Sequence, residues 1–154
     1  MVDVVHELIA SASRLRDASQ SLARRIVSEG VADLVYNPLN YAWEVHAEFI
    51  RRTGGNGAKC ILLGMNPGPH GMGQMGIPFA ATSVVRDLIR ITGITVANPE
   101  ITHPKRPVNG LEHPKEEVSG TRLWGVLEHR YGDIDKISKE VYVVNHCPLM
   151  ILNG

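Results

Sequence analysis

The chain has 154 residues, enough for one domain that buries about two-thirds of its unfolded surface. Lys and Arg number 16 against 16 Asp and Glu, so the formal net charge is zero and the global positive excess of many nucleic-acid binders is lacking; only a local basic face would serve that role. Two cysteines make a poor disulfide framework, no apolar run reaches membrane-spanning length, and Asp3 and Glu7 do not suit a signal peptide, so a cytoplasmic location is expected by default.

Over residues 3–29, Val4, Val5, Leu8, Ala12, Leu15, Leu22 and Ile26 recur at helical spacing, and Gly30 is placed to stop the helix. Arg14, Arg16, Arg24 and Arg25 form its polar face, read as solvated. Asn37-Pro38 marks a turn or helix start, and residues 41–52 carry Ala42, Val45 and Phe49 on one stripe. After Gly54-Gly55-Asn56-Gly57 comes a short apolar run, Cys60 to Leu63, which reads as a fully buried strand with Cys60 as a buried thiol. It stops abruptly in a loop dense with Gly and Pro. Loops released at the carboxyl end of a buried parallel strand are where α/β proteins place ligands, so residues 64–79 are the candidate site. Pro67, Pro69 and Pro78 fix φ and restrict the residues before them, which makes this loop shaped rather than floppy. Asn66 offers a donor and an acceptor, and Phe79 an aromatic face. An irregular surface connection is the plainer alternative.

Ser83 is placed to cap a helix running to Thr92, with Val84, Val85, Leu88 and Ile91 inward and Gly93 as its stop. Residues 94–118, rich in Pro, His and charge, read as an irregular segment over the site. Ser119 opens a further helix through Leu123, Trp124, Val126, Leu127 and Tyr131, closed by Gly132. Val141-Tyr142-Val143-Val144 is a second β-branched strand ending on Asn145, with Cys147 beyond it as the other buried thiol. Two parallel strands would thus present one carboxamide each at the same edge. The fold class is α/β, and residues 1–154 are expected to form a single domain with residues 1–30 as its N-terminal helix. Gly71-Met72-Gly73-Gln74-Met75-Gly76 matches the dinucleotide G-x-G-x-x-G pattern, but Pro67, Pro69 and Pro78 break the strand-turn-helix context that pattern needs. The seven histidines show no metal-ligand spacing, and no metal is expected.

Several segments together resemble the single-strand-selective monofunctional branch of the uracil-DNA glycosylase superfamily. Gly64-Met65-Asn66-Pro67-Gly68-Pro69, Gly71-Met72 and Gly76-Ile77-Pro78-Phe79 look like that branch's first motif. Asn145-His146-Cys147-Pro148-Leu149 is similar to a later one. Tyr36-Asn37-Pro38, Tyr41-Ala42-Trp43-Glu44, His103-Pro104-Lys105-Arg106-Pro107, Gly110-Leu111-Glu112, Ser119-Gly120 and Trp124-Gly125 fall in the family's order. The family's His-Pro-Ser-Pro-type loop, with its catalytic His and DNA wedge, has no counterpart before Gly154. The chain is therefore expected to be the first part of such an enzyme, with weak or no activity if it is the whole molecule.

The resemblance implies a three-layer α/β/α fold with a short, mostly parallel central sheet, incomplete in this chain. It further implies hydrolysis of the N-glycosidic bond of uracil and C5-modified uracils in single- and double-stranded DNA, after base flipping and without strand cleavage or any cofactor. Asn66 would position the attacking water, Phe79 stack on the base, Asn145 read its edge, and the Met65 N–H stabilise the departing uracil at O2. Gly68, without a side chain, would leave room for a C5 substituent such as hydroxymethyl. Lys105 and Arg106 are candidate phosphate contacts, and His70 or His146 candidate substitutes for the missing His. The expected partner is uracil-containing DNA, with no membrane and no metal, and a monomer is expected. Two alternatives stay open: a non-catalytic nucleobase- or DNA-binding remnant, and a related glycosylase for deaminated purines such as xanthine.

Overall fold

A computed structural model describes residues 2–154. Helix α1, Val4–Ser28, begins where the Asp3 carboxylate accepts from the His6 N–H at 3.2 Å, and Gly30, at φ 69°, turns the chain out of it. Its buried residues are Ser19 and Ala23, while Leu15 and Leu22, expected inward, are 44% and 46% exposed. The buried stripe is narrower than the apolar one. Arg16 also departs from the solvated face expected of it. Its guanidinium lies 4.6 Å from the centre of the Trp43 ring, and its carbonyl accepts from Asn37 Nδ2. Arg14, Arg24 and Arg25 are exposed.

Strand β1, Leu34–Tyr36, leads to a single turn, α2 (Pro38–Tyr41, with Pro first), and then to α3, Trp43–Thr53. Strand β2 is Cys60–Gly64, and the loop beyond it contains the one-turn helix α4, Met72–Met75. The helix expected over residues 83–92 is instead a wide turn, Val84–Leu88, closed by the Ile89 N–H on the Val84 carbonyl. Val85, Leu88 and Ile89 point inward from it, and Arg90 at φ 64° ends it before the expected Gly93. Residues 94–117 are largely irregular apart from a single tight turn at Gly110–Glu112. Helix α5, Val118–Tyr131, starts from Glu117 rather than Ser119 and is closed at Gly132. Helix α6, Ile134–Glu140, absent from the sequence expectations, is capped by Asp133, which accepts from the Lys136 N–H. Strands β3, Val141–Asn145, and β4, Met150–Leu152, complete the chain.

The architecture is α/β, with β2 and β3 pairing in parallel from Cys60 opposite Val141 to Gly64 opposite Asn145. This is the short parallel sheet expected, and β1 and β4 form a separate antiparallel pair beside it, Leu34 opposite Leu152. On one face of β2 and β3, Val141 and Val143 join Trp124, Leu127, Ile134, Ile137, Val85 and Ile89 in the main core. Phe49 of α3 meets the Trp124 ring edge-on and stacks against Tyr142, so α3 ties the core to the other face. There, Leu8, Ala12 and Leu15 of α1 line a gap with Tyr142 and Val144. Helices therefore lie on both faces of the parallel pair, but unequally. Ile61 and Leu63 are each 65% exposed and Cys60 is exposed too, which corrects the fully buried strand and the buried thiol. An apolar run reports what a strand can pack against, not whether something covers it. Cys147 is half-buried, and both thiols are free.

Candidate active site

Because Gly64 pairs with Asn145, both strands release their chains at one edge of the sheet. The ladder continues beyond it, with the His146 N–H donating to the Gly64 carbonyl at 2.9 Å and the Cys147 N–H to the Met65 carbonyl at 2.8 Å. The two loops are thereby held side by side, and Asn66 and Asn145 line one cavity of about 370 Å³ together with Phe79, Gly68, Met72, Glu117 and Ser119.

Asn145 and Phe79 come together beside Gly64. A Cβ there would collide with Asn145 Oδ1 and approach Cε2 of Phe79 to 2.6 Å, so amide and ring meet over bare backbone. The Asn145 Nδ2 donates to the Met72 sulfur at 3.1 Å, which orients the amide because a thioether can only accept. Phe79 itself has φ 55°, uncommon for a bulky residue and worth roughly 1–3 kcal/mol of local strain. The Phe79 carbonyl lies close against α5 where Gly120 has no Cβ to block it.

Beyond Met65, the loop carrying Asn66 is tied down largely by side chains. Gln74, 3% exposed, donates through Nε2 to the carbonyls of Pro69 (2.9 Å) and Pro107 (3.0 Å) and accepts from the Asn109 N–H (2.7 Å). One carboxamide thus joins the site loop to the irregular segment. Tyr41 donates its hydroxyl to the Gly73 carbonyl, and burial raises its pKa. His46 Nδ1 lies 2.7 Å from the Gly76 carbonyl and must carry the hydrogen there; burial lowers its pKa despite that bond. His70 stacks on His113 with Nδ1 and Nε2 at 2.9 Å, and His113 is held below the usual histidine range by burial first, then by His70 and Lys115.

No protein-family model matches the chain. Among curated proteins, residues of this chain are 43% identical over 129 positions to the single-strand selective monofunctional uracil DNA glycosylase of Bos taurus, covering 84% of this chain and 47% of that protein. The proteins of the same description in Rattus norvegicus and Mus musculus are 45% and 44% identical over 119 positions, each covering 77% of this chain and 42% of the relative. The chain belongs to the single-strand-selective monofunctional uracil-DNA glycosylase family. It spans about half the length of the curated relatives it matches. A crystal structure of wild-type SMUG2 from Pedobacter heparinus is similar at 18% identity and a TM-score of 0.49, over 75% of this chain and 43% of that one.

Of the residues that the family motifs single out, Asn66, Gly68, Phe79 and Asn145 line the common cavity, and Met65, Lys105 and Arg106 do not. The Met65 side chain is 80% exposed, and its carbonyl is engaged by Cys147. Lys105 and Arg106 sit exposed on a tight turn bridged by His103 and Arg106, which is anchored where Tyr36 donates its hydroxyl to the Arg106 carbonyl. His70 is occupied by His113, and His146 is exposed, so neither faces the cavity as a substitute for the family's histidine. The residue that sequence reading missed is Glu117. Its Oε1 accepts from the Ser119 hydroxyl at 2.6 Å, and its Oε2 occupies the space beside Gly68 that was expected to be open. The available signal was an acidic residue directly before the Ser119-Gly120 motif.

Proposed function

We propose that this chain carries the base-binding site of a DNA repair glycosylase that hydrolyses the N-glycosidic bond of uracil and C5-modified uracils in single- and double-stranded DNA. The observation that carries the reading is the convergence of the Asn66 and Asn145 carboxamides on one cavity with the Phe79 ring. A nucleotide flipped out of the helix would place its base on that ring. Asn145 Oδ1 accepts from uracil N3–H while Nδ2 donates to O4, and cytosine, with an acceptor at N3 and an amine at C4, inverts both demands. Discrimination needs an amide that cannot rotate, and the Met72 sulfur supports that requirement.

Asn66 is exposed at the cavity mouth; among the described residues its one side-chain bond is a 3.4 Å contact from Nδ2 to the Pro67 carbonyl, which leaves it able to hold a water. A carboxamide cannot take the water's proton at neutral pH, so bond breaking leads: the sugar acquires oxocarbenium character as uracil departs as an anion, and the water adds afterwards, releasing its proton. The proposed reaction releases the base without a covalent sugar intermediate or strand cleavage. Lys105 and Arg106, exposed on their turn, are proposed phosphate contacts that position the strand without reading it. Incubation with a uracil-containing oligonucleotide, measuring free uracil, tests this reading. Release that Asn66→Ala lowers about a hundredfold is the expected result. Lesion-dependent binding without release would leave recognition alone, and neither binding nor release would overturn the assignment.

A further inference from the structure

Gln74 sits in the glycine-rich stretch 71–76, which matches a dinucleotide pattern without the strand-turn-helix context that pattern needs. The glycines serve packing there instead. The Gly73 N–H donates to the Gly68 carbonyl at 2.9 Å, and a Cβ on Gly73 would come 2.7 Å from that oxygen, so α4 closes directly on the cavity loop. A carboxamide has two N–H donors and one oxygen, and in Gln74 all are committed. Both hydrogens go to proline carbonyls: Pro69, in the cavity wall, at 2.9 Å, and Pro107, directly after Arg106, at 3.0 Å. The oxygen takes the Asn109 N–H at 2.7 Å. Gln74 is only 3% exposed and cannot trade these partners for water, so losing any of them costs free energy.

The turn that carries Lys105 and Arg106 is held from its other side by Tyr36, whose hydroxyl donates to the Arg106 carbonyl at 2.9 Å and accepts from the His103 N–H at 2.7 Å. Tyr36 meets Tyr41 edge-on at 5.8 Å, and Tyr41 donates to the Gly73 carbonyl, but a contact of ring on ring fixes no hydrogen-bond direction. We propose that Gln74 is a positioning residue: it holds the base cavity and the Lys105 and Arg106 turn in one register, so that a strand gripped at its phosphates presents a flipped base to Asn145 and Phe79. The proposal rests on the base-binding reading of the cavity and on the phosphate-contact reading of the two cations. Two grips on one strand reinforce each other only when their separation suits both; a floating separation must be ordered afresh at each binding event. Phosphate contacts carry no sequence information, so what they add to lesion recognition comes from that register.

The test is a double-substitution cycle, read as the binding preference for a uracil-containing oligonucleotide over the same strand without uracil. Gln74→Met keeps the length of the side chain and none of its hydrogen bonds, and is expected to lower that preference about tenfold. In the Lys105→Ala, Arg106→Ala background the same substitution should lower it no more than about twofold, because no phosphate grip remains to be kept in register. Binding of the uracil-free strand, and its salt dependence, should not respond to Gln74→Met, since Tyr36 still holds the turn. Equal losses of preference in both backgrounds overturn the proposal, being the behaviour of a residue that merely stiffens the cavity. So does a matching loss of binding to the uracil-free strand. Gln74→Glu still accepts from the Asn109 N–H but can donate to at most one of the two proline carbonyls; it should give the same pattern at smaller size, and it decides the question if the methionine variant does not fold. If wild type shows no preference for the uracil-containing strand, the base-binding reading fails. If Lys105→Ala, Arg106→Ala leaves binding of both strands unaltered, the phosphate-contact reading fails. Either result takes the proposal with it.

Discussion

The two carboxamides of the cavity are supported in different ways. Asn145 ends a strand whose ladder runs on through His146 and Cys147, its amide nitrogen rests on the Met72 sulfur, and it is half-buried. Asn66 stands two residues beyond its strand, exposed, on a loop fastened by Gln74, Tyr41 and His46 from a distance. A group that must tell one base edge from another needs a fixed orientation, because a rotated amide swaps donor for acceptor. A group that holds water needs reach more than rigidity. The fold gives each carboxamide the support its proposed task requires.

Removing the two amides should therefore have unlike consequences. Asn145→Ala is expected to lower uracil release about a thousandfold and to erase the preference for uracil-containing strands in binding. Asn66→Ala is expected to lower release about a hundredfold while leaving that binding preference intact. Equal loss of binding in both variants would break the division of labour. Gly64→Ala sharpens the same contrast without substituting either asparagine. The added Cβ has no room between Asn145 and Phe79, so the reading group and the stacking ring must both shift, and release should fall about a hundredfold with the loss appearing in KM as well as kcat. A variant with unaltered KM would show that the ring and amide are less tightly coupled than their contact implies.

The parallel pair and its two terminal asparagines were legible because each strand is a short apolar run cut off by turn residues, and the run-on of Gly and Pro after Gly64 announces a shaped loop. The three-residue strands β1 and β4 were not, since three residues show no period. The exposure of Ile61 and Leu63 was hidden because local pattern cannot say which faces receive a covering layer. Arg16 looked like one more solvated cation until Trp43, 27 positions on, came beneath it. Glu117 was missed for a related reason: its entry into the cavity depends on Gly68 and Gly71 lying under its side chain, a contact between segments far apart in sequence.

The smallest effect expected concerns pH, and it separates the two supports again. His46 is buried with its Nδ1 on the Gly76 carbonyl at the far end of the site loop, and burial lowers its pKa below the ordinary 6.5. The unfolded chain therefore binds a proton more readily than the folded one as pH falls below about 6.5, so stability is complete above that value and declines as pH drops toward the folded pKa. His113, lowered as well, acts in the same direction on the same loop. Asp133, held below its ordinary 3.8 chiefly by the Lys136 N–H, belongs to a separate and more acidic window. Between pH 7 and pH 5 the thermal midpoint should therefore fall. His46→Gln, which can still donate to the Gly76 carbonyl without titrating, should flatten part of that slope. Amide exchange in the same range should rise first in residues 66–79 and leave the protons of Asn145, His146 and Cys147 slow. Simultaneous loosening of both segments would mean that the strand-end carboxamide depends on the loop after all.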